Sequence, residues 1–119
     1  VNPRPPASLD LYSAHGLPVI DAHLRACEGA GLDALPTMPS LAPRGSAVVF
    51  ARHDMMLGPA AAQWLAAQSH VHDVPCRGAS FQAQAPVCSV SAAGDDIAAV
   101  QEQLQQRADA LLGALETFE

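Results

Sequence analysis

Apolar residues recur along the chain with two different periods, and the switches between them mark the expected elements. Over Ser8 to Tyr12, Leu9 and Leu11 alternate with Asp10 and Tyr12, the period of two that belongs to a strand. Gly16 breaks this run and Pro18 stands where a first-turn proline belongs. Ile20, Leu24 and Cys27 then follow helical spacing, so a helix is expected from Pro18 to about Gly29 with Cys27 packed inward. Pro36, Pro39 and Pro43 leave room for no more than an edge strand between Leu32 and Leu41, because each proline removes a ladder donor. Ser46 to Arg52, with Val48, Val49 and Phe50, reads as a buried strand. Gly58-Pro59 opens a second helix through Ala60 to Gln68 around Trp64 and Leu65.

The second half of the chain repeats the alternation. Val71 to Val74 is a candidate short strand, and Ala79 to Val90 a longer one in which Phe81, Ala83, Ala85 and Val87 share a face. Pro86 interrupts that strand and predicts a bulge or an edge position there. From Asp95 or Asp96, either a good N-cap, the stripe Ile97, Val100, Leu104, Leu111, Leu115 and Phe118 predicts a helix over 95–118 whose other face, with Gln101, Glu102, Gln105, Gln106 and Asp109, is solvated. Arg107 and Ala108 interrupt the stripe, which favours packing on a sheet or a neighbouring helix over a long coiled coil.

This order of elements is that of a βαββαβ, or split βαβ, ferredoxin-like arrangement with one helix added. The fold class expected is therefore α+β, an open sandwich with an additional C-terminal amphipathic helix, built as a single domain over 1–119 behind an extended Pro-rich arm at 1–7. The alternative is a small three-layer α/β domain with a parallel sheet, which would follow if Val71 to Val74, and not Ala79 to Val90, paired beside the central strand.

Composition narrows the partners. Leu, Ile, Val and Phe number 27, enough for folding, but 24 alanines inflate the 50% hydrophobic content, so the core should be thin and completed by a partner subunit. Six arginines, no lysine and twelve acids give a net charge of −6, the wrong sign for neutralising phosphates, so nucleic acid is not expected as a partner. No apolar run approaches the roughly 18 residues of a membrane span, and the first residues carry no apolar leader core. Cys27, Cys76 and Cys88 are an odd set that suits a reducing compartment, so a cytoplasmic protein is expected, with export of a processed form left open. Cys76 and Cys88 flank a predicted strand and would be the pair to bridge under oxidising conditions.

Three groups of residues carry candidate chemistry. His70, His72 and Cys76 lie within one short segment; if it is extended, the two imidazoles share a face and the thiolate can fold back, a ligand set for Zn, Cu or Ni with the fourth position left to His53, His15, His23 or Cys88. The competing structural role places His70 and His72 at a helix C-terminus and Cys76 in the core. His53 and Asp54 follow the buried strand, where sites collect; His53 is the candidate acid or base, and Asp54 a candidate catalytic partner or a cap for the turn into the second helix. Met55 and Met56 read as gap-fillers at that helix entrance.

Val19-Ile20-Asp21-Ala22-His23 is similar to the opening of metal-dependent amidohydrolases, but Arg25 stands in place of their second histidine and the chain is too short for the eight-stranded barrel. Asp21 and Arg25 are expected instead as an i,i+4 ion pair. The functional expectation is a small acidic non-catalytic interaction or accessory-subunit domain, a homo-oligomer or the binder of a partner protein through the C-terminal helix or the open sheet face. The alternatives are a metal-binding protein or metalloenzyme on His70, His72 and Cys76, and a cofactor-free enzyme or ligand binder around His53.

Overall fold

The computed structural model describes residues 19–31 and 42–118. The chain divides into two compact units, Val1–Leu41 and Ala42–Glu119. The predicted strand at Ser8 to Tyr12, the edge strand between Leu32 and Leu41 and the Pro-rich arm lie outside the described residues.

In the first unit the described element is helix α1, Val19–Cys27, ended by Gly29 at φ +91°, a left-handed backbone that glycine adopts without a side-chain clash. Its Asp21–Arg25 ion pair closes at 2.8 Å between exposed side chains, the i,i+4 contact that the spacing predicts. The helix buries none of its residues. Cys27, expected to point inward, is exposed.

The second unit runs β1 (Arg44–Phe50), β2 (Met55–Met56), α2 (Pro59–Ala66), β3 (Val71–His72), β4 (Ser80–Phe81), β5 (Pro86–Ala93) and α3 (Ile97–Glu116). β1, β5 and β3 form one sheet in that order, and β2 and β4 a second; every pairing is antiparallel, so the parallel three-layer alternative falls away among the described residues. The mixed α+β composition, the open sheet and the C-terminal helix are those that the pattern predicts.

Three details of strand placement differ from expectation. β5, and not the Ser46 to Arg52 region, is the central strand. The predicted strand from Ala79 to Val90 is cut in two by a turn in which Gln84 takes φ +68°. Ala51 draws the chain into that turn by exchanging both backbone bonds, donating to Ala85 O at 2.9 Å and accepting from Gln84 N at 2.8 Å. The register then shifts between Val49 and Phe50, and Phe50 sits opposite Pro86, where the proline led us to expect a bulge. Met55 and Met56 form β2 and are not part of a helix entrance.

α3 covers one face of the larger sheet. Asp96 caps it, its carboxylate accepting from Ala99 N at 2.7 Å, and Val100, Leu111 and Leu115 are buried. Val49, Cys88 and Val90 from the sheet, Leu57, Ala61 and Leu65 from the β2–α2 region, and Leu111 and Leu115 from α3 make one core. The approach is close: a Cβ on Gly45 would lie 2.9 Å from Val100 Cγ1 and 3.0 Å from Leu104 Cδ1. The middle of the stripe on α3 is thus covered within its own unit, whereas Ile97 and Phe118, predicted to belong to it, are exposed at its two ends.

With α3 on one side, β1 is buried only on alternate residues. Gly45, Ala47 and Val49 face the helix, while Val48 and Phe50 stay 52% and 49% exposed on the other face. The fully buried strand expected at Ser46 to Arg52 is therefore half-buried, because it is the sheet's edge and has a helix on one face only.

Candidate functional site

The polar side chains of the second unit gather at two places. The first is the seam between β3 and β5, where Val71 pairs with Val90 and His72 with Ser89. The His72 ring shares a hydrogen bond of 2.8 Å with Ser91 Oγ, and the Ser91 main chain is held from two further directions. Its N–H donates to His70 O at 2.9 Å, and its carbonyl accepts from Arg107 Nη1, which reaches across from α3. Beside it, Ser89 Oγ donates to Asp73 Oδ2 at 2.5 Å; Asp73 itself takes φ +54°, a conformation that aspartate tolerates better than most residues.

Serine, histidine and aspartate meet here, but in the wrong order for nucleophilic catalysis. A relay needs the carboxylate on the histidine that takes the serine proton. Asp73 holds Ser89 instead, while His72 holds Ser91, so the seam contains two separate polar pairs. His70, partly buried, has its pKa lowered, first by loss of water and then by the charges of Arg107 and His72, which disfavours imidazolium.

The metal set predicted from His70, His72 and Cys76 is not assembled. Among the described residues no three His, Cys, Asp or Glu side chains come together in a way that could hold an ion. Their structural reading changes too. α2 ends at Ala66 with Ala67 as its C-cap, so neither His70 nor His72 closes the helix, and Cys76 is exposed and not a core residue. All three thiols are free; Cys88 is the buried one.

The second place is the corner after β1. Arg52 bridges two carboxylates of α3, Asp109 Oδ1 at 3.0 Å and Glu116 Oε1 at 3.3 Å, and Gln105 donates to the other oxygen of Asp109 at 2.8 Å. Arg52, His53, Met55, Leu112, Leu115 and Glu116 line a cavity of about 10 Å³. That is room for one water, whereas a small-molecule site needs roughly 300 Å³ or more. Asp54 is a cap, but for a different turn from the one expected: Oδ1 accepts from Ala83 N at 2.8 Å, fixing the turn that separates β4 from β5.

The sequence did not show that Ser89 meets Asp73, or that Ser91 meets His72 and Arg107. The alternation of Ser89 and Ser91 with buried Cys88, Val90 and Ala92 puts both serines on the face of β5 away from α3, and that was readable. Comparison of the chain with family models, with curated proteins and with solved structures finds no match. No helix among the described residues is long and apolar enough to cross a membrane.

Proposed function

We propose that the second unit is a non-catalytic interaction domain that pairs with a second copy of itself through the open face of its three-stranded sheet. The observation that carries this reading is the exposure of Val48 and Phe50, two residues apart on an edge strand, with Ser91 and His72 on the adjoining strands. An apolar pair next to satisfied polar groups is the composition of a small protein interface, and an edge strand unpaired on its outer side among the described residues invites a partner. A second copy is favoured as the occupant because self-association through a two-fold axis is the commonest closed arrangement. The α3 stripe lends less to such a role, because Val100, Leu111 and Leu115 are already buried within the unit.

The water-sized cavity beside His53 lends little to an enzymatic reading, and the dispersed His70, His72 and Cys76 lend little to a metal reading on those residues. Three free thiols suit a cytoplasmic setting. Size-exclusion chromatography with light scattering tests the proposal. With a chelator present, the native chain is expected to run as a dimer at micromolar concentration and the Val48→Arg, Phe50→Arg double variant as a folded monomer; a native monomer, or a dimer indifferent to the double substitution, defeats it.

A further inference from the structure

The first unit presents a different kind of surface, independent of the sheet-face reading. On α1, at 100° per residue, Ile20, His23, Leu24 and Cys27 fall within an arc of about 100°, and all four are exposed. Ile20 is 54% and Leu24 56% exposed, although they are the large apolar residues of the helix. Within the same arc His23 Nε2 and Cys27 Sγ stand 3.7 Å apart.

That separation has a chemical meaning. A zinc ion with Zn–S near 2.3 Å and Zn–N near 2.05 Å at a tetrahedral angle sets the two donor atoms about 3.5 Å apart. The observed 3.7 Å is close to that donor separation, so the spacing of the two side chains suits one shared ion. Two donors make half of a structural site, which is closed by four. Among the described residues this chain brings no third ligand to them. A second copy of α1 brings the missing pair, and the exposed Ile20 and Leu24 on the same face bring apolar surface to cover.

We propose that His23 and Cys27 of two chains form a His₂Cys₂ site for a tetrahedral, thiolate-preferring divalent cation, zinc being the fitting case, which clasps two α1 helices together with Ile20 and Leu24 flanking the ion. Each histidine binds through Nε2 as the neutral ring. Each Cys27 gives up its thiol proton, so one Zn²⁺ displaces two protons and the first coordination sphere is neutral overall.

The test uses the full chain without a histidine tag, kept reduced by a phosphine, with Co²⁺ as an optical stand-in and Zn²⁺ as competitor. A sulfur-to-cobalt charge-transfer band is expected to saturate at one cobalt for every two chains and to vanish on adding zinc. The scattering mass of the Val48→Arg, Phe50→Arg variant, which removes the other proposed contact, should double with metal and return with chelator. Cys27→Ser and His23→Ala should each lose the band while keeping their helical circular dichroism, Cys27→His should keep metal binding without the thiolate band, and Cys76→Ser should change nothing. Absence of the band, its survival in Cys27→Ser, or saturation at one cobalt per chain without a change of mass overturns the proposal, whatever the outcome for the sheet face.

Discussion

The Cys88 thiol lies on the covered face of β5, and loss of water pushes its pKa from 9.0 to about 11, with the charge of Asp73 adding to the effect. Native protein is therefore expected to react with a thiol reagent at Cys27 and Cys76 and to expose Cys88 only on unfolding, as mass spectrometry of labelled peptides would read; fast native labelling of Cys88 would contradict its burial. The sign of the linkage follows. A raised pKa favours the neutral thiol in the folded state, so this contribution to stability is intact below pH 9.0 and is lost as pH rises towards about 11. His70 works in the opposite direction. Its pKa is lowered from 6.5 by burial and by its cationic neighbours, so the folded state prefers the neutral ring, and stability is lost as pH falls below 6.5. His70→Gln should flatten that acid limb in urea titrations, and an unchanged limb would assign it to other groups.

At the scale of elements, α3 and its seat on the sheet carry the stability of the second unit. Leu111 is buried in the core, so Leu111→Ala should cost about 2–5 kcal/mol. Leu104 is only partly buried, and Leu104→Ala should cost clearly less. Removing the cap with Asp96→Ala should cost about 0.5–2 kcal/mol, because Ala99 N–H loses its acceptor. Gly45 is small because the helix passes over it. Gly45→Ala should destabilise by about 1–3 kcal/mol through overpacking against Val100 and Leu104. Since the Leu104 contact is one of those two, Leu104→Ala should relieve part of that cost, and a double-mutant cycle by chemical denaturation that came out additive would refute the contact. The Arg52 bridge to Asp109 and Glu116 is half-exposed, so its loss should matter little beside these.

At the scale of the molecule, every buried apolar residue among those described lies between Val49 and Leu115, within the second unit. A chain beginning at Ala42 is therefore expected to fold cooperatively by itself and to melt within about 4–8 °C of the full protein, the shift that roughly 1 kcal/mol produces in a domain of this size. Circular dichroism melts would check it, and a loss of the cooperative transition would show that the core depends on residues before Ala42. A thin, alanine-rich core was expected to need a partner; the core that forms is closed on one side by α3 and open on the other, which is where the self-association proposed for the sheet would act.

What the sequence determined by itself is what short-range physics governs. The stripe from Val100 to Leu115 and the Asp96 cap specify α3, Pro59 after Gly58 starts α2, the Asp21–Arg25 spacing produces its ion pair, and Pro86 announces the register shift. Each depends on residues within one or two turns, or on one backbone restriction. Only the tertiary structure decided which strand is central, that Val48 and Phe50 stay exposed while Val49 is buried, and that the run from Ala79 to Val90 breaks at Gln84. Those outcomes rest on pairing between distant segments: Ala51 with the 84–85 turn, Asp54 with Ala83, and β1 with a strand some forty residues later. The polar seam is of the same kind. His72 finds Ser91, and Arg107 finds the Ser91 carbonyl, only once β3 and α3 have both docked on β5, so the proximity of His70, His72 and Cys76 along the chain was a poor guide to which side chains meet in space.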